Sequence, residues 1–172
     1  MVVIVSEEEL KLFLERVLIP GESVVVGIGN ELRCDDGFGV YLARSLSNLS
    51  AKYSKRKCLL VIEAGTAVES YLDILSTAKI SLILDVVEAP IPLSEIVVLS
   101  RSDIPKYPTS LSTHTIGIDT LLSLVKSDIY VIGTRPICLD VRLGVTKYVA
   151  EAIRKIVKAF IYVLERRGCI KV

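Results

Sequence analysis

Short apolar runs alternate with amphipathic stretches of helical spacing along most of the chain. Val24, Val25, Val26 and Ile28 form a β-branched run of the kind buried on both faces of a sheet. Runs at 58–63, 80–87, 95–99 and 129–133 have the same character, so five strands are expected. Between them the period lengthens. Leu10, Phe13, Leu14 and Val17 make one stripe, and Phe38, Leu42, Leu46 and Leu49 make a second. Val68, Tyr71, Leu72 and Leu75 mark a third helix, and Ile118, Leu121, Leu122 and Val125 a fourth. A long last helix over 145–166 turns Val149, Ile156, Phe160 and Val163 inward.

Local signals place the boundaries. Ser6 followed by Glu7, Glu8 and Glu9 predicts a helix start, with Ser6 as cap and Glu9 closing a capping box. Pro20-Gly21 ends that helix. The segments 50–57 and 100–108 read as loops, the second because Pro105 and Pro108 interrupt regular structure. Strands alternating with helices predict a three-layer α/β domain, a mostly parallel five-stranded sheet with helices on both faces. No repeat or linker divides the chain, so 1–172 reads as one domain with an additional helix within 1–20.

Composition narrows the function classes. Lys plus Arg is 21 against 20 for Asp plus Glu, a net charge of +1, which gives no support to a nucleic-acid partner. Seven Tyr, three Phe and no Trp leave little for a base-stacking platform. No apolar run has the length of a membrane span, and the first residues turn acidic without a basic n-region, so no membrane insertion is expected. Cys34, Cys58, Cys138 and Cys169 lie far apart with no C-x-x-C pair, which argues against a zinc finger or a thioredoxin motif. Spacing alone gives no reason to pair them, and the chain reads as cytoplasmic.

The candidate chemistry gathers in residues 22–46. After the first apolar run, Gly27 and Gly29 allow a close backbone approach, and two adjacent acids, Asp35 and Asp36, precede the helix from Phe38. One carboxylate at a helix start is ordinary capping. Two adjacent carboxylates repel each other, so a cation or a proton-transfer role stands beside the capping one. In parallel sheets, ligands bind beyond the carboxyl ends of the strands. Glu63 ends the second run and Asp85 lies near the end of the third, so four acids from three segments can converge. His114, the lone histidine, falls after a proline-broken loop. A single histidine is more often structural than a ligand. With two carboxylates, however, an imidazole makes an oxygen–nitrogen site suited to nickel, zinc or iron.

Rival motifs fit less well. Gly27-Ile28-Gly29 lacks the third glycine of a dinucleotide fingerprint, Leu32 standing there, and the acids would repel a pyrophosphate. No G-K-[ST] or G-x-S-x-G is present. A phosphoacceptor receiver also uses an acidic pair and a later Asp, but its acids sit right at the strand end.

GIGNELRCDDGFG resembles the opening motif of the hydrogenase maturation endopeptidases, which trim the large subunit of nickel–iron hydrogenases. Glu63-Ala64-Gly65-Thr66 is similar to their second motif, Asp85-Val86-Val87 to their D-A-[VI], and Ser112-Thr113-His114 to their S-x-H. The resemblance runs from about Val24 to the last helix. It implies Asp36, Asp85 and His114 as metal ligands, with Asp35 either supporting them or acting as general base. The metal would be nickel, supplied by the substrate precursor, with zinc or cadmium as substitutes. The implied partner is a nickel–iron hydrogenase large-subunit precursor, whose C-terminal extension is removed after nickel insertion. A non-cleaving nickel-sensing assembly chaperone and a receiver-like domain are the alternatives. Glu63 for Asp, Val86 for Ala and the N-terminal helix depart from the family pattern.

Overall fold

The computed structural model describes residues 3–53, 58–109 and 118–171. Six strands form one sheet: β1 (Val3–Val5), β2 (Ser23–Ile28), β3 (Leu60–Gly65), β4 (Ile80–Val86), β5 (Ile96–Ser100) and β6 (Asp128–Thr134). Their order is β1-β5-β6-β4-β2-β3. The pairs β3–β2, β2–β4 and β4–β6 are parallel, whereas β5 runs antiparallel to both β6 and β1. The helices are α1 (Glu7–Val17), α2 (Phe38–Tyr53), α3 (Leu72–Thr77), α4 (Ile118–Leu124) and α5 (Lys147–Arg166).

The three-layer α/β reading holds. The sheet has one strand more than the five expected, because β1 is only three residues long and shows no periodicity of its own. Pairing along β5 specifies it: Ile4 lies opposite Val97 and Val5 opposite Ile96. Pro105 is the other departure. It sits in the first turn of a short 3-10 segment, Ile104–Lys106, where its missing amide is not needed.

Each sheet face carries its own core. Leu82, Leu84 and Val86 of β4 pack with α1, α2 and α5, while Ile83 packs on the opposite side with Leu75 of α3 and Leu121 of α4. This is the two-residue period of a strand buried on both faces. Along α1 the expected stripe is buried at Leu10, Phe13, Leu14 and Val17, and the helix packs against α5. The Phe13 ring meets Tyr130 of β6 edge-on at 5.1 Å. The capping box is complete: Glu9 N donates to Ser6 Oγ at 3.3 Å, and Ser6 N donates to Glu9 Oε2 at 2.8 Å. The N-terminal helix is thus part of the core.

Candidate active site

The carboxyl ends of β2 and β4 lie side by side, with Gly27 in register with Leu84. Helix α2 begins hard against both ends. A side chain at Gly39 would overlap the carbonyl oxygens of Ile28 and Leu84, so only glycine lets the helix come this close. Gly29 makes the second close approach, at φ +127°, where a Cβ would strike the backbone oxygen of Asp36. These two contacts bring the acidic turn onto the sheet edge.

The turn is a 3-10 segment, Cys34–Gly37, with Asp35 and Asp36 both buried. Asn30 N donates to Asp36 Oδ2 at 3.0 Å, and Leu32 N closes the loop onto Asn30 Oδ1 at 2.9 Å. Asp85 is also buried, and Val86 N donates to its Oδ1 at 2.8 Å. An amide therefore fixes one oxygen of each carboxylate. By alternation Asp85 shares a face with Ile83, the face covered by α3 and α4.

Asp35 has different surroundings. Its Oδ2 accepts from Ile137 N (3.0 Å), Cys138 N (3.2 Å) and Thr146 Oγ1 (3.1 Å), and its Oδ1 accepts from Thr146 N at 2.7 Å. Both oxygens hold the loop that leads into α5. Main-chain bonds join the same two segments: Cys34 N to Arg142 O at 2.7 Å, Asp35 N to Cys138 O at 3.0 Å and Arg142 N to Leu32 O at 2.9 Å. Cys34 and Cys138 are disulfide-bonded with Cα atoms 5.8 Å apart. Cys34 has φ +53°, a left-handed conformation that costs an L-residue about 1–2 kcal/mol. The disulfide and the three main-chain bonds hold it there.

All four cysteines are paired, the second bond joining Cys58 to Cys169. Spacing gave no hint of either pair, since each joins segments more than 100 residues apart. Thr146 was the other anchor the sequence hid. A threonine before a helix ordinarily caps it, but this hydroxyl turns to Asp35 and makes no cap bond.

Glu63 lies at the neighbouring strand end without joining the acids. Its Oε2 accepts from Arg44 Nε at 2.9 Å, while Arg44 also grips Glu31 with two nitrogens at 2.7 and 3.0 Å. The guanidinium holds the Glu31 carboxyl below its usual range. Three segments are tied together at the rim of the site by this ion pair network.

His114 lies outside the described residues, and so does Ser112. Among the described residues no three candidate ligands cluster. The chain reaches that segment from the acid edge: Thr109 bridges to Val87, two residues past Asp85, and Glu88 N donates to Pro108 O at 2.8 Å. A cavity of about 710 Å³ lies at the opposite end of the sheet, between Ser23, Leu60 and Thr77. Its one acid, Glu22, pairs with Lys79 at 2.7 Å, so it holds no comparable constellation. No helix among the described residues is long and apolar enough to cross a membrane.

A family model described as hydrogenase maturation protease matches residues 43–162, a stretch that includes Asp85 and His114 and begins after Asp36. A Methanocaldococcus jannaschii protein assigned as a hydrogenase maturation protease is 30% identical over 126 residues, covering 68% of this chain and 73% of that one. Among solved structures, the [NiFe] hydrogenase maturation protease HycI from Thermococcus kodakarensis superposes with a TM-score of 0.70 at 23% identity. The match covers 89% of this chain and 99% of that one. The hydrogenase maturating endopeptidase HybD from E. coli gives 0.65 at 19% identity, over 86% and 94% of the two chains. These two structures share the mixed sheet with helices on both faces.

Proposed function

Because the chain belongs to the hydrogenase maturation protease family, we propose that it is the endopeptidase that removes the C-terminal extension of a nickel–iron hydrogenase large-subunit precursor after nickel insertion. One observation supports this above the rest. Asp36 and Asp85 are buried carboxylates at adjoining strand ends, each oriented by a backbone amide. Carboxylates held this way are suited to a divalent cation, and such a cation offsets the burial of two like charges.

In this reading Asp36, Asp85 and His114 grip the nickel carried by the precursor, so that only a loaded precursor is seated for cleavage. Held there, the ion would supply Lewis-acid chemistry at the scissile carbonyl or lower the pKa of a bound water. Zinc or cadmium would occupy the same oxygen–nitrogen set. Of the two roles expected of Asp35, the supporting one fits its surroundings better than general base, since both its oxygens already accept hydrogen bonds. We assign it as a positioning residue.

We place the reaction in the cytoplasm. Disulfides are uncommon there except in proteins of high-temperature organisms. A chain with no glutamine, two asparagines and one methionine has the composition such proteins favour.

The test is the mass of a nickel-loaded precursor after incubation with wild type, Asp85→Asn and His114→Ala. Wild type should release one C-terminal peptide, and the two variants should release none. A precursor left whole by wild type overturns the proposal.

A further inference from the structure

Ten large hydrophobic side chains are exposed among the described residues, and four of them stand on the two segments clamped together by Asp35 and the Cys34–Cys138 bond. They are Leu32 (60% exposed), Ile137 (49%), Val141 (89%) and Leu143 (71%). Exposed apolar residues scattered singly need no explanation, but a cluster marks a contact surface. This cluster is also rigid at its base, because the main chain of Arg142 is bonded to both Leu32 and Cys34. A surface ordered in advance loses little conformational entropy when it binds.

The charges around it have one dominant sign. Arg33, Arg135 and Arg142 are exposed here, against the exposed carboxylates of Asp140 and, in the adjoining groove, Glu88, while Glu31 is committed to Arg44. A groove of about 710 Å³ continues from the cluster along Glu88, Pro90, Arg135, Ile137 and Leu139. The groove borders the acidic turn, since Ile137 in its wall donates its amide to Asp35, the neighbour of Asp36.

We propose that these four side chains and the adjoining groove dock the stretch of precursor polypeptide next to the scissile bond, an extended apolar segment flanked by acidic residues. The inference rests on the endopeptidase reading above. Apolar side chains of that segment cover Val141 and Leu143, its carboxylates meet the three arginines, and the backbone continues along the groove to the acids. The surface supplies binding that is the same in ground state and transition state, and so sets KM and not kcat.

Steady-state cleavage of nickel-loaded precursor by wild type, Val141→Asp and Leu143→Asp tests this. The positions are open to solvent, so the folds should survive, which melting curves check. Each aspartate variant should raise KM roughly tenfold with kcat unchanged. Unchanged KM in both aspartate variants overturns the docking surface and leaves the protease reading intact. A dimer that the aspartate variants split, with KM unchanged, makes the patch a contact between two copies and equally overturns the proposal. Failure of wild type to cut overturns the protease reading and this inference with it.

Discussion

The two disulfides close loops of nearly equal span, 104 and 111 residues, yet they brace regions with opposite uses. Cys58–Cys169 pins the chain end beside Leu164 and Ile170, against Leu49 and Leu59, where nothing but packing is at stake. Cys34–Cys138 sits under the acid edge, sharing its two segments with the four hydrogen bonds to Asp35. In the unfolded chain the two cross-links remove similar freedom, because loop entropy grows only slowly with length. Their difference therefore lies wholly in the folded state. One braces packing, and the other braces the turn that carries the proposed ligand Asp36.

The adjacent acids are the sharpest way to break that contrast. Asp36→Asn keeps a side-chain carbonyl for the amide of Asn30, so the fold should survive while processing is lost. Asp35→Asn acts on the anchor instead: its new amide group faces the donors of Ile137, Cys138 and Thr146, which should destabilise the protein by about 2–3 kcal/mol and slow processing without abolishing it. Chemical denaturation and processing rates, measured on both variants, check the pair. Equal melting with equal loss of activity would erase the distinction between ligand and anchor.

The disulfides come next, with a smaller effect on processing but a larger one on stability. Replacing Cys58 and Cys169 by alanine should lower stability by about 4–5 kcal/mol in the chain-entropy account, with kcat unchanged at temperatures where the variant is folded. Replacing Cys34 and Cys138 should lower stability by a similar amount and also slow processing, since the acid edge loosens. Denaturant midpoints and kcat separate the two. A Cys34/Cys138 variant with wild-type kcat would mean that the hydrogen bonds to Asp35 suffice.

The smallest effect belongs to the rim. Arg44 depresses the pKa of Glu31, so the pair's contribution is present above the ordinary glutamate value of 4.5 and is lost as pH falls through the depressed folded value. Both side chains are partly exposed, so the amount is at most about 1 kcal/mol. Arg44→Ala should lower the melting temperature slightly at pH 7 and not at all well below the folded pKa. An equal loss at both values would mean that Arg44 acts by packing.

Much of this was legible in the residues. The β-branched run at 24–28, the Ser6–Glu9 box and the stripes of α1 and α5 announce their elements through period and capping chemistry, which are local. The placement of Asp36 and Asp85 at neighbouring strand ends was legible too, because strand ends in a parallel sheet converge. The antiparallel course of β5 was not, since a buried run reads the same in either direction. Neither were the cysteine pairs or the link from Asp35 to Thr146, 111 residues away, which exist only once two distant loops meet. Glu63 resembled a site residue by position, yet its carboxylate is turned to Arg44.

The most direct measurement presents one precursor in two forms, nickel-loaded and nickel-free, to the enzyme, with intact mass read over time. The loaded form should lose its C-terminal extension while the nickel-free form keeps its full mass, because in the proposed mechanism Asp36, Asp85 and His114 seat the substrate through the metal. Equal trimming of both forms would contradict it.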